Sequence, residues 1–107
     1  MWETRTDLHG RIKRLYEEDD YRWCQDANAK DTNGNACLWN SEYVAVEFSL
    51  LGAVYKAYRD TAHWHFVSAY LMEIFNSGFW EGPLIDWNDT PNRTYEEVLN
   101  FLNKHKL

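Results

Sequence analysis

The chain has 107 residues, with 17 Asp and Glu against 11 Lys and Arg, and a formal net charge of -6. Its six Trp, seven Tyr and five Phe supply too much apolar surface for intrinsic disorder, and a length near 100 leaves room for one domain, residues 1–107. The negative charge sets the whole against phosphate backbones and anionic membranes, so neither nucleic acid nor a membrane is expected as a direct ligand.

Met1-Trp2-Glu3-Thr4-Arg5-Thr6-Asp7 lacks the apolar stretch of a secretory leader, and no run approaches the ~20 apolar residues that span a bilayer, which predicts a cytoplasmic protein. In that setting Cys24 and Cys37 read as two reduced thiols.

Start and stop signals predict four helices and two ordered loops. The first helix covers residues 7–18, capped by Thr4 or Thr6, with Leu8, Ile12, Leu15 and Tyr16 on one stripe. Glu17, Glu18, Asp19 and Asp20 then place four carboxylates where a helix dipole favours cations. The helix is therefore expected to end before them, leaving an acidic run that reads first as a solvated patch and otherwise as a surface for a basic partner. Residues 21–40 are rich in Asn, Asp and Gly and carry Trp23, Cys24, Cys37, Leu38 and Trp39 at their margins, which reads as a loop pinned at both ends. Asn33-Gly34 is its strongest turn signal and would suit a short hairpin, although the flanks lack β-branched alternation.

Ser41 is expected to cap a central helix over residues 42–59. Its stripes Val44, Phe48, Leu51, Tyr55, Tyr58 and Val46, Leu50, Ala53, Val54, Ala57 leave only a narrow line of small residues through Ala45, Ser49 and Gly52. A helix apolar on most of its circumference must be surrounded. A third helix follows from Asp60 or Thr61 to about Asn76, with Trp64, Val67, Leu71 and Phe75 inward and Asn76-Ser77-Gly78 as its stop. Residues 79–93 hold Phe79, Trp80, Leu84, Ile85 and Trp87 but also Gly82, Pro83 and Pro91, and are expected to be an irregular apolar loop. Thr94-Tyr95-Glu96-Glu97 is a capping box opening the last helix, which runs through Val98, Leu99 and Leu102 to Lys104-His105-Lys106. These elements predict an all-α fold, a bundle of about four helices around a buried central one.

Trp23-Cys24-Gln25, Leu51-Gly52-Ala53 and the stretch Trp87-Asn88-Asp89-Thr90-Pro91-Asn92-Arg93-Thr94-Tyr95-Glu96-Glu97-Val98-Leu99 resemble a family of small uncharacterised proteins of phages and some bacteria. Members often carry Trp-Cys just before the Leu-Gly-Ala, where this chain has Phe48-Ser49. The resemblance implies a genomic setting and no assigned activity. The residues themselves give a structural account: Asn88 and Asp89 form a side-chain-stabilised turn, Pro91 fixes the approach, Thr94 and Glu97 start a helix, and Arg93 is expected to pair with Asp86 or Asp89.

No arrangement of chemistry-bearing residues has convincing spacing. Cys24 and Cys37 lie thirteen residues apart, and His63 and His65, two apart on a helix, point away from each other, so no metal and no cofactor is expected. In Asp31-Thr32-Asn33-Gly34-Asn35 a calcium loop would need carboxylates where Ala29 and Asn40 stand. His63-Trp64-His65 with Glu73, Glu81, Asp86 or Asp89 is the enzyme-like alternative, a small hydrolase, metal-dependent in one version, but nothing places a nucleophile beside it. The aromatic excess reads first as core packing and otherwise as an interface, whose binding residues would be Trp80 and Trp87 of the irregular loop with Glu17, Glu18, Asp19 and Asp20. Of the two indoles Trp80 is expected to face outward and Trp87 to pack inward. The reading that results is a non-enzymatic protein-binding module. A phage accessory protein acting on a host protein or complex is its specific form, and a homodimer its alternative assembly. From the capping box, Thr94→Ala should cost about 1 kcal/mol in thermal unfolding, and an unchanged melting temperature would assign Thr94 another role.

Overall fold

A four-stranded mixed sheet replaces much of what the sequence presents as loop and central helix, so the fold is α/β and not all-α. The computed structural model describes residues 10–41 and 43–107. Among these the order is α1 (Arg11–Glu17), β1 (Arg22–Trp23), β2 (Ala29–Lys30), β3 (Ala36–Cys37), β4 (Glu47–Phe48), α2 (Leu50–Tyr58), α3 (Trp64–Phe75), α4 (Glu81–Asn88) and α5 (Tyr95–His105). The expected caps Thr4 and Thr6, with Asp7 and Leu8, lie outside the described residues, as does Glu42.

The sheet runs β1-β4-β2-β3. Phe48 sits at its centre, beside Trp23 on parallel β1 and Ala29 on antiparallel β2, and is 1% exposed. Beyond the strand ends, Arg22 N–H donates to Val46 O at 3.1 Å and Cys24 N–H to Phe48 O at 3.1 Å. The β2–β3 hairpin closes at the Asn33-Gly34 turn. There Gly34 takes φ 80°, which glycine adopts without penalty, and Asp31 Oδ1 accepts from the backbone of Asn33 and Asn35 at 2.8 and 3.0 Å.

Drawing Glu47 and Phe48 into the sheet shortens the central helix. It begins at Leu50, capped by Ser49, whose Oγ accepts from Gly52 N–H at 3.2 Å, and not at residue 42. Leu50, Leu51, Ala53, Val54 and Tyr58 are buried, so α2 is surrounded on most sides, by α1, α4 and the sheet. Its small-residue line admits the backbone of the loop at Asn28. A Cβ on Gly52 would stand 1.9 Å from Asn28 O, the carbonyl that accepts from Ser49 N–H at 3.1 Å.

Residues 81–88 form a helix where an irregular loop was expected, because Pro83 falls in the first turn, where its missing N–H has no intrahelical acceptor to lose. The other helix ends follow local signals. Asn76 closes α3 in the left-handed region, with Ser77 N–H donating to Met72 O at 3.0 Å. Thr94 and Glu97 exchange the bonds of a capping box at the start of α5. α1 continues one residue into the acidic run, Glu17 being its last residue and Glu18 its C-cap, and all four carboxylates from Glu17 to Asp20 are exposed. At its other end the Ile12 N–H donates to Leu107 O at 2.7 Å, which joins α1 to the end of α5.

Because the backbone of Asn28 fills the space a side chain at position 52 would need, Gly52→Ala should destabilise by more than about 2 kcal/mol. Chemical denaturation measures it, and a loss under about 0.5 kcal/mol would mean that the loop yields freely.

Candidate functional site

Asn88, the last residue of α4, is 1% exposed and uses its whole side-chain amide. Its Oδ1 accepts from the Trp23 indole at 2.7 Å and from Leu50 N–H at 2.9 Å, and its Nδ2 donates to Cys24 O at 3.1 Å and Asp89 Oδ1 at 2.8 Å. Around it, Gln25 Nε2 donates to Asn88 O at 2.9 Å and Thr90 O at 3.1 Å, and Asp26 N–H donates to Asp89 Oδ1 at 3.0 Å. Residues 23–26, residue 50 and residues 88–90, remote from one another in the chain, are thus tied at one point. The expected local turn at Asn88 and Asp89 is instead a long-range crosslink. A cleft of about 150 Å3 lies beside it, lined in part by Asp26, Asn28, Ser49 and Asp89. Asp89 Oδ1 and Ser49 Oγ there are already engaged in holding backbone.

The bond to Asn88 also aims Trp23, and Trp23 is one wall of a much larger groove. This groove, about 560 Å3, is lined by Tyr16, Asp20, Tyr21, Arg22, Trp23 and Tyr95. Each ring is held by a contact of its own. Tyr16, the most deeply buried, donates its hydroxyl to Phe48 O at 2.8 Å. Tyr95 meets Tyr16 edge to face at 5.8 Å between centroids, and Tyr21 meets Phe48 in the same way at 4.8 Å. Burial raises the Tyr16 phenol well above its ordinary range, with Cys24 and Tyr95 adding to it, and partial burial and then the Glu17 carboxylate raise that of Tyr95. Both are neutral hydroxyls at physiological pH. Arg22, the cation of the lining, has its Nε 3.8 Å from Glu47 Oε2 across the β1–β4 pair. A surface groove with pre-set aromatic walls and a carboxylate at its edge is equipped to bind, and among its lining residues no nucleophile sits beside a base.

The other sequence-derived candidates are placed as follows. Trp80 does not face outward: it is 1% exposed, its indole donates to Ser68 Oγ at 3.0 Å, and its ring meets Trp64 edge to face at 6.0 Å. The reason is that α4 is a helix, which turns its N-cap residue onto α3. Trp87 is half-buried, with the Arg93 guanidinium 3.9 Å from its ring centroid and Phe101 at 4.8 Å. Arg93 pairs with neither Asp86 nor Asp89. It donates to Trp87 O at 3.0 Å and to Glu97 at 3.1 Å, because an arginine one residue before the cap reaches the N3 carboxylate at i,i+4. The Glu97 carboxyl is held below its usual range, first by the Thr94 backbone N–H and then by Arg93. Pro91 is exposed in the connection between α4 and α5. His63 is the N-cap of α3, edge-on to Tyr58 at 6.5 Å, while His65 and Glu73 are exposed on α3. No group of three His, Cys, Asp or Glu able to hold a metal occurs among the described residues. Burial pushes the Cys24 thiol up to about 12, so at neutral pH it is a packed thiol with negligible thiolate.

The family model of DUF6197, described as a family of unknown function, matches residues 8–105. The chain belongs to DUF6197. That match takes in every residue of the Asn88 crosslink and of the groove. No curated protein and no solved structure matches the chain. For this DUF6197 chain the site therefore rests on its own geometry. Of the groove, sequence reasoning marked Asp20 as part of an acidic surface and Trp23 as part of a motif, and it missed Tyr16, Tyr21 and Tyr95 as partners of either. The available signal was the aromatic pair Tyr21 and Trp23 directly after four carboxylates.

Removing the crosslink should be severe. Asn88→Ala leaves the Trp23 and Leu50 N–H groups and the Cys24 carbonyl without their partner, which should cost about 3 to 5 kcal/mol in urea unfolding. A loss below about 1 kcal/mol would show that water replaces the amide.

Proposed function

We propose that this protein is a non-enzymatic protein-binding module that receives a segment of its partner in the groove between α1, β1 and the start of α5. The observation that carries the reading is that Tyr16, Tyr21 and Trp23, together with the remote Tyr95, are each fixed by a separate contact around one groove of about 560 Å3. Rings already held in place lose little conformational freedom on binding, which is where much of an interface's affinity is otherwise spent. Aromatic side chains are also the residue class that dominates binding hot spots. The binding face assigned from sequence moves accordingly: Trp80 leaves it, Trp87 is engaged by Arg93, and Glu17, Glu18, Asp19 and Asp20 remain as its acidic rim. Small size, acidity and the resemblance to phage and bacterial proteins support a partner within a bacterial cell, in the specific form a host complex modulated by a phage accessory protein.

The test compares partner capture from bacterial lysate by the wild type, Tyr95→Ala and Phe79→Ala. Tyr95 is 36% exposed and opens a helix that accepts alanine, while Phe79 is 75% exposed and does not line the groove. A partner retained by Phe79→Ala and weakened about thirtyfold by Tyr95→Ala, with melting temperatures close to wild type, is the expected result. The opposite pattern would move the interface away from the groove.

A further inference from the structure

We propose that the groove takes a basic peptide segment, with an arginine or lysine head group seated against the Trp23, Tyr21 and Tyr95 rings and paired by Asp20. This deepens the protein-binding reading and rests on it. Three features of the lining select a cation. The faces of indole and phenol rings are electron-rich and attract ammonium and guanidinium groups, most strongly where water is partly excluded. Asp20 is in the lining and exposed, Glu17, Glu18 and Asp19 adjoin it, and Glu17 is near enough to the Tyr95 phenol to act on its charge. The cation of the lining, Arg22, has its Nε 3.8 Å from Glu47 Oε2, a carboxylate that offsets its charge, and the acidic run beside the groove adds negative charge around it.

The same chemistry already operates within the chain. Arg93 lies over Trp87 at 3.9 Å while its guanidinium bonds Glu97, and Arg59 and Arg11 lie over Trp64 and Tyr58 at 5.1 and 5.6 Å. An indole face with a carboxylate at its edge is the Trp87–Glu97 arrangement that holds Arg93. Trp23 and Asp20 put the same two kinds of group, an indole and a carboxylate, in the lining of one surface groove. A volume of about 560 Å3 exceeds one side chain and suits a cationic residue with its neighbours. An acidic or phosphorylated segment would meet the four carboxylates, and a purely apolar one would desolvate Asp20 without compensation.

The full chain is titrated, with its backbone amides followed by NMR, against a peptide of about ten residues carrying two arginines, the same peptide with citrulline in their place, and the same peptide with glutamate. The arginine peptide is expected to shift Tyr21, Trp23 and Tyr95, to bind less tightly as salt rises, and to lose about three- to fivefold in affinity in Asp20→Asn, an exposed substitution that leaves every ring contact in place. Equal binding of the citrulline peptide at those residues, insensitive to salt, would overturn the cationic occupant and leave the groove as a binding site. Failure of the arginine peptide to shift them would overturn the cationic occupant alone if capture still depends on Tyr95, and both readings if it does not. Concentration-dependent shifts of the same residues without peptide would assign the groove to a second copy of the chain and overturn the proposal.

Discussion

The side-chain amide of Asn88 is the interaction on which the arrangement depends. A planar group with two acceptor and two donor directions is saturated by the Trp23 indole, the first N–H of α2, the Cys24 carbonyl and Asp89. Buried at the meeting of α4, β1 and α2, it exchanges water for four directed partners, and in a low-dielectric setting such a network specifies one geometry. Leucine would fill much of the same volume and leave three backbone or indole groups unpaired.

What the crosslink fixes is the exit of β1, and with it the groove. β1 is two residues long and among the described residues pairs with β4 alone, so by itself it could not hold an indole in place. The bond from Asn88 anchors Trp23 from the α4 side, Phe48 supports Tyr21 from the sheet, and the Tyr16 hydroxyl anchors α1 to the Phe48 carbonyl. The surface proposed for binding is therefore an outgrowth of the core, each ring having a buried partner behind it.

The stretch from Trp87 to Glu97 has the density of polar and turn residues that invites a catalytic reading, yet its groups are engaged with one another. Asn88 and Asp89 hold remote backbone, Arg93 is stacked on Trp87 and paired with Glu97, and Thr94 with Glu97 caps α5. Its one contribution to the groove beyond Asn88 is Tyr95, the first residue of the capped helix. The capping box thus places a ring of the groove as well as starting a helix.

The features legible in the sequence are those whose physics is local. The Thr94–Glu97 box, the left-handed stop at Asn76, the Asn33-Gly34 turn and the all-round apolar character of residues 50–58 each involve groups within a few positions of one another, so spacing alone reveals them. The sheet was hidden because two-residue strands are too short to show an alternation, and the helix of residues 81–88 because Pro83 signals a break everywhere except in a first turn. The acidic run and Trp23 were visible as residues, but the groove joins positions 16, 20, 21, 23 and 95, and the amide that orders it spans 65 residues from Trp23 to Asn88. Hydrogen bonds and ring contacts at that separation impose no periodicity on the chain, so only its tertiary folding decides which aromatic residues pack inside and which ones form a surface.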